Sequence, residues 1–87
     1  MRHKLVELIK EDVKHLNILV IKPLDAINIA DTIATRINGK FHKITEQDLM
    51  GAVQYIHDYF SLEEYKNITD DGYIAVFAEY IKNFATA

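Results

Sequence analysis

The chain has 87 residues, of which 49% are hydrophobic and 26% are charged, with three glycines, one proline and no cysteine. A chain of this length buries roughly 60% of the surface that it exposes when unfolded, which favours a single domain, covering 1–87, around one core. The apolar content excludes an intrinsically disordered chain. The absence of cysteine excludes a disulfide scaffold, a cysteine zinc finger and a thiol nucleophile.

The first residues do not predict a targeting or membrane segment. The basic residues 1–4 are followed by a stretch that Glu7 and Lys10 interrupt, so a secretory leader is not expected. The longest uncharged run, residues 49–57, reaches less than half of the ~20 residues that a membrane span needs. We therefore expect a cytoplasmic protein that makes no membrane contact.

Residues 3–16 predict the first helix, because apolar residues recur there with the three-and-four spacing of one helix face: Leu5, Leu8, Ile9, Val13 and Leu16. Residues 18–21, Ile-Leu-Val-Ile, have no period, so they either finish this helix or form a short buried strand. Pro23 excludes Lys22 from the helical region and is expected to open the second helix. That helix is expected to end at Asn38-Gly39. Its apolar face consists of Ile27, Ala30, Ile33, Ala34 and Ile37.

Three further helices follow, each preceded by a capping residue. Thr45 begins a helix whose core face is Leu49, Val53, Ile56 and Phe60. Ser61 and Glu64 have the spacing of a capping box, which predicts a short helix to about Lys66. Thr69 caps the last helix, whose core face is Ile74, Phe77, Ile81 and Phe84. The sequence therefore predicts an all-α domain of four main helices and one short helix, packed as a bundle or orthogonally.

The sequence offers little for a metal site. The four histidines stand at 3, 15, 42 and 57, and none lies three or four residues from another. Residues 67–74 resemble the opening of an EF-hand calcium loop, but Ala78 stands where the closing bidentate Glu belongs. The simpler interpretation is a loop capped by Thr69, with Asp70 and Asp71 in the first turn of the last helix. We expect no metal ion and no cofactor.

Catalytic patterns are also missing. Ser61 is the only serine, and its capping position explains it. With three glycines, the chain has no nucleophile elbow, phosphate-binding loop or dinucleotide fingerprint. The carboxylates that occur in pairs are adjacent in sequence, and adjacent residues of a helix do not face each other. We therefore expect no catalytic residues and a protein that is not an enzyme.

The charge is unevenly distributed along the chain. Residues 1–44 carry eight basic and five acidic side chains, and residues 45–87 carry two basic and eight acidic ones, giving +3 and −6. The loop after the second helix concentrates cations around an aromatic residue, and this makes nucleic-acid binding through Arg36, Lys40 and Lys43 the alternative function. The acids of the following helix would be repelled by a nucleic-acid duplex, so this alternative is second to protein association.

Tyrosines border the core faces of the third and last helices. With these tyrosines the two helices are apolar around most of their circumference, and such helices are either central or covered by another molecule. The leading hypothesis is therefore a regulator, inhibitor or adaptor that associates with another, basic protein or with a second copy of itself. The residues expected to bind the partner are Tyr55, Tyr59, Tyr73, Tyr80, Asp58 and Glu79.

Overall fold

A computed structural model describes residues 2–37 and 43–85 of the chain. It confirms the all-α prediction, because the described residues form four main helices and one short helix and contain no strand. The helices are α1 (Arg2–Leu16), α2 (Ala26–Arg36), α3 (Glu46–Tyr59), α4 (Leu62–Lys66) and α5 (Asp70–Tyr80), and α5 continues into a π-helical segment (Ile81–Ala85). None of the helices in these ranges is both long and apolar enough to cross a bilayer.

The four main helices pack against one another around a common core. α1 contacts α2 and α3, and α5 contacts the same two helices. The starts of α2 and α5 are joined directly, because the Asp70 carboxylate accepts hydrogen bonds from the Asp25 backbone N–H (3.2 Å) and from Nδ2 of Asn28 (3.1 Å). The end of α1 and the starts of α2 and α5 therefore lie together in one region of the molecule.

The buried side chains form one apolar cluster between these helices. The predicted faces of the four main helices supply most of it, including Leu5, Ile9, Ile33, Leu49, Ile56 and Phe77. Two predicted core residues are wrong: Ile27 is 47% exposed and Phe84 is 61% exposed. Phe84 lies in the π-helical segment, whose wider turn does not return a residue to the same face after three or four positions.

The helix starts follow the predicted capping chemistry at three positions. Thr45 and Asp48 form a reciprocal capping box (3.1 and 2.9 Å), and Ser61 and Glu64 form another (3.2 and 3.0 Å). The Thr69 hydroxyl accepts a hydrogen bond from the Gly72 N–H (3.1 Å). Residues 67–74 are thus the capped start of α5, as the simpler interpretation predicts.

The start of α2 departs from the prediction. Asp25, and not Pro23, begins this helix, because the Asp25 carboxylate accepts hydrogen bonds from the N–H groups of Ile27 and Asn28. Residues 18–21 adopt neither of the two predicted forms, since they lie in the turn between α1 and α2. The Asn17 side chain closes this connection by bonding the Leu24 backbone N–H (2.8 Å) and carbonyl (3.3 Å).

Candidate protein-docking surface

Four aromatic side chains from α3, α5 and the π-helical segment contact one another and are here called the aromatic cluster: Tyr55, Tyr59, Tyr80 and Phe84. Tyr55 is at its centre, with ring centroids 5.9 Å from Tyr59, 5.4 Å from Tyr80 and 6.0 Å from Phe84. Tyr80 and Phe84 are 5.3 Å apart. All four pairs are tilted and lie within the range of favourable aromatic contacts. The Tyr59 ring also contacts Phe60 (5.1 Å), whose ring lies 5.9 Å from that of Tyr65.

The close approach of α5 to α3 depends on a glycine. The side chain of Tyr80 lies over Gly51, and a Cβ atom at that position would collide with the Tyr80 hydroxyl oxygen. Glycine is therefore the residue that lets the Tyr80 ring lie against the backbone of α3 and reach Tyr55. The structure thus explains a glycine in the middle of α3 that helix propensity alone disfavours.

The aromatic cluster has a shielded half and an open half. Tyr55 and Tyr80 are partly buried and pack against the core. Tyr59 is 54% exposed and Phe84 is 61% exposed. Two large rings that are more than half exposed and that touch the shielded pair make an apolar surface patch, which in soluble proteins commonly marks an interaction site.

The surroundings of the aromatic cluster on α3 are acidic. Residues 44–65 contain five acidic side chains and no lysine or arginine. Asp58 is exposed beside Tyr59 and accepts a hydrogen bond from Nε2 of Gln54 (3.3 Å). Glu79 is exposed on a different side of α5, where it lines a groove with Arg36 and Lys82 next to α2. The structure therefore places Asp58, but not Glu79, on the side of the molecule that carries the aromatic cluster.

Tyr73 corrects the sequence prediction. It was expected on an exposed face beside Tyr80, but its side chain is fully buried, with 0% exposure. The Tyr73 hydroxyl donates a 2.7 Å hydrogen bond to Oδ2 of Asp12, which gives the buried oxygen a partner. Tyr73 is therefore a core residue and is unavailable to a docking partner.

Asp12 is the centre of a buried polar cluster that the sequence analysis missed. It is 8% exposed, and its Oδ1 atom lies 2.6 Å from Nε2 of His57. Asp12 on α1 thereby joins His57 on α3 and Tyr73 on α5, so one carboxylate connects three helices.

The tyrosines next to Asp12 are harder to ionise than exposed ones. Burial, then the charge of Asp12 and its hydrogen bond, raise the pKa of Tyr73 above the ordinary value. Burial and the charges of Asp12 and Asp58 raise the pKa of Tyr65 to about 12. The Tyr65 hydroxyl is buried without a hydrogen-bond partner among the described residues, and its ring contacts His57 at 5.6 Å.

The sequence did contain a signal for Asp12. It falls three residues after Ile9 and four before Leu16, so it occupies the buried stripe of α1 rather than the solvent side. An acid on such a stripe needs a partner, because an unpaired buried carboxylate is costly. Periodicity cannot name that partner, since His57 and Tyr73 are 45 and 61 residues away in sequence.

The described histidines are held in pairs with carboxylates. His3 lies 3.2 Å from Glu7 and His15 lies 3.3 Å from Glu11, both one helical turn apart on α1. Within residues 2–37 and 43–85, no three side chains of the metal-ligating types come together. His57 is 40% exposed, and one of its ring nitrogens is already taken by Asp12. The contact between Asp12 and His57 joins α1 to α3.

The basic residues of the alternative function flank a segment outside the described residues. Arg36 is exposed in the last turn of α2, and Lys43 is exposed shortly before α3. Lys40 lies outside the described residues, so the structure does not test whether the three cations lie together. Nucleic-acid binding through Arg36, Lys40 and Lys43 stays a prediction.

Comparisons of the chain with protein-family models, with curated proteins and with solved structures found no match.

Proposed function

We propose that this chain is a non-catalytic, cytoplasmic protein that regulates, inhibits or bridges another protein by docking through the aromatic cluster. The observation that carries the proposal is the exposure of Tyr59 and Phe84, at 54% and 61%, within a connected set of four rings. A single copy of the chain leaves this apolar area in water. Association would remove it from water, with a gain of roughly 25 cal/mol for each Å² of apolar surface.

The aromatic cluster has the composition of a binding hot spot. Tyrosine and other large aromatic residues supply much of the energy of protein interfaces, and they do so best at the centre of a packed patch. Tyr55 and Tyr80 are held in place by the core and by Gly51, so they form a rigid base under the two exposed rings. A rigid base lowers the conformational entropy that a partner must remove on binding.

The charge around the aromatic cluster favours a basic partner. Asp58 stands beside Tyr59, and the segment 44–65 has no positive side chain to balance its five acids. Complementary charge mainly raises the rate of encounter and selects against acidic partners, while the rings provide the affinity. A second copy of the chain is the other candidate occupant, although two acidic α3 helices would then repel each other.

The test is affinity capture with matched surface variants. Wild-type protein, Tyr59→Ser/Phe84→Ser and the control Met50→Ser are immobilised and exposed to extract of the producing cell. Met50 is a suitable control because it is 55% exposed on α3 and outside the aromatic cluster. We expect a basic protein to be retained by wild type and by the control and to be lost from the double variant. The purified partner should then bind the double variant at least about tenfold more weakly.

Two outcomes contradict the proposal. One is a set of retained proteins that is the same for wild type and for Tyr59→Ser/Phe84→Ser. The other is a purified partner whose dissociation constant the double variant leaves unchanged. Sedimentation velocity over a range of concentrations identifies a second copy as the occupant if wild type dimerises and the double variant does not. Far-ultraviolet circular dichroism confirms that each variant remains helical.

A further inference from the structure

A groove between α4 and the start of α5 lies next to the aromatic cluster and is here called the acidic groove. Its volume is about 500 Å³, and its lining includes Phe60, Glu63, Glu64, Asn67, Ile68 and Gly72. The floor is apolar, because Ile68 is buried and Phe60 packs against the core. The two glutamates are exposed, so the groove combines an apolar floor with a negatively charged rim.

Phe60 connects the acidic groove to the aromatic cluster. Its ring lines the groove, and its centroid lies 5.1 Å from that of Tyr59 in an edge-to-face contact. Tyr59 is one of the two exposed rings through which docking is proposed. A molecule that covers Tyr59 therefore reaches the acidic groove across a single further ring.

The charge of this part of the chain favours a cation. Residues 58–72 contain one basic side chain and five acidic ones: Asp58, Glu63, Glu64, Asp70 and Asp71. The basic one is Lys66, whose Nζ lies 3.8 Å from Oε1 of Glu63, beyond hydrogen-bond distance. Lys22 lies in a neighbouring groove with Asp70 and Asp71. Of the described residues that line the acidic groove, none is a lysine or an arginine.

The Glu64 carboxylate is held in a fixed orientation at the rim. Its Oε1 atom accepts a hydrogen bond from the Ser61 N–H (3.0 Å), and its own N–H donates to the Ser61 hydroxyl (3.2 Å). The bonds with the Ser61 backbone and side chain hold the pKa of Glu64 below its ordinary value. The capping box leaves the second oxygen, Oε2, for a further donor. Glu64 is therefore an ordered, charged acceptor.

The start of α5 also borders the acidic groove, and a helix start by itself favours an anion. Here its positive end is already balanced. The Thr69 hydroxyl accepts the hydrogen bond of the Gly72 N–H (3.1 Å), and Asp70 and Asp71 place two carboxylates in the first turn. The charge of the groove is therefore set by its glutamates.

We propose that the acidic groove binds an arginine side chain of the basic protein that docks on the aromatic cluster. This inference rests on the proposed function, and it names the side chain that the partner presents beside its apolar contact. A guanidinium group is planar, so it can lie against an aromatic ring such as Phe60 while it donates to a carboxylate such as Glu64. The apolar stem of an arginine suits the apolar floor.

A titration followed by nuclear magnetic resonance tests the proposal on the full chain labelled with ¹⁵N. The probe is acetyl-arginine methylamide, and the matched probe without charge is acetyl-citrulline methylamide. We expect the arginine probe to shift the amide signals of Phe60, Glu64 and Gly72, and the citrulline probe to leave them in place. Glu64→Gln should weaken binding of the arginine probe about fivefold, while glutamine keeps the capping box. Glu46→Gln removes an exposed acid at the start of α3 and should bind like wild type.

Three results of this titration would overturn the inference. They are an arginine probe that leaves the signals of the acidic groove unchanged, equal shifts with the citrulline probe, and a loss of affinity in Glu46→Gln as large as that in Glu64→Gln. A purified partner should also bind Glu64→Gln about fivefold more weakly than wild type. An unchanged dissociation constant would remove the arginine contact from the interface.

The variant of the exposed rings separates this inference from the proposed function. Tyr59→Ser/Phe84→Ser should bind the arginine probe as wild type does, because it leaves the lining of the acidic groove intact. A partner lost from this variant, together with a groove that does not bind the arginine probe, would reject the inference and keep the docking proposal. A partner retained by the variant would reject the docking proposal, whatever the arginine probe does.

Discussion

Two groups of tyrosines on the same pair of helices lie in opposite surroundings. Tyr73 of α5 is fully buried, and its hydroxyl donates to a carboxylate on α1. Tyr80, seven residues later on the same helix, is only partly buried, and Tyr59 of α3 is 54% exposed. Both groups consist of tyrosines that border the core face of their helix. Neither the residue type nor this position on the helix therefore decides which ring is buried.

One difference is the presence of a carboxylate. Burying a phenol costs less when its hydroxyl has a partner, and Asp12 provides that partner for Tyr73 at 2.7 Å, whereas the buried hydroxyl of Tyr65 has none among the described residues. The three tyrosine hydroxyls of the aromatic cluster make no such hydrogen bond within the part of the chain that the structure describes. We therefore expect substitutions around Asp12 to act mainly on stability and substitutions of the exposed rings Tyr59 and Phe84 to act mainly on association.

Replacing Asp12 should give the largest effect. Asp12→Ala removes the acceptor of Tyr73 and of His57 at once and leaves the buried hydroxyl without a partner. We expect the free energy of unfolding to fall by about 3 kcal/mol, measured by urea denaturation. Glu11→Ala is the matched control, because Glu11 is the exposed neighbour and pairs only with His15 at the surface. Its loss should cost under about 0.5 kcal/mol. An Asp12→Ala protein as stable as the control would contradict the role assigned to this carboxylate.

Removing single hydroxyls should separate the two groups of tyrosines more finely. Tyr73→Phe deletes a hydrogen bond to a charged acceptor and should lower the free energy of unfolding by about 2 kcal/mol. Tyr80→Phe deletes a hydroxyl that makes no hydrogen bond within the described residues, and it should cost less than about 0.5 kcal/mol. Equal losses in the two variants, measured in the same urea titration, would mean that the two hydroxyls have equivalent surroundings.

Alkaline pH should lower the free energy of unfolding through the buried tyrosines Tyr65 and Tyr73. The pKa of Tyr65 is about 12 in the folded protein, against 10.0 for an ordinary tyrosine, so the unfolded chain releases this proton first as the pH rises. The contribution to stability is complete below pH 10.0 and is lost between pH 10.0 and about 12. The raised pKa of Tyr73 acts in the same direction. Urea titrations through this window should show falling stability, and Tyr65→Phe should make the decline shallower. A decline that is equally steep in Tyr65→Phe would exclude Tyr65 as a source of this dependence.

The sequence predicted local structure better than it predicted the site. Each of the caps at Thr45, Ser61 and Thr69 is a contact within four residues, so spacing alone determines it. Tyr73 was misplaced because its burial depends on Asp12, which is 61 residues away. Periodicity put both residues near a helix face but could not show that they share one interior. Contacts between distant residues are set by packing, which no local pattern records.

The wrong core prediction for Phe84 has a different cause. It continues the three-and-four spacing of α5 and was expected in the core, but the chain changes there to a π-helix and the ring moves to the surface. The aromatic cluster exists in its observed form because of this local change in helical geometry. The tyrosines Tyr55, Tyr59 and Tyr80 could be proposed from sequence, whereas their contact with Phe84 could not.

The smallest expected effect tests how the aromatic cluster is supported. Gly51→Ala should add helix propensity worth about 1 kcal/mol, but the new Cβ would occupy the position of the Tyr80 hydroxyl. In the wild-type background the gain should therefore be cancelled or reversed, because the Tyr80 ring must move away from α3. In a Tyr80→Ala background the same substitution should stabilise the protein by the full amount, about 1 kcal/mol.

A double-mutant cycle by urea denaturation measures the coupling between the two positions. Equal stabilisation in both backgrounds would show that Gly51 does not support Tyr80, and the rigid half of the docking surface would lose its structural basis.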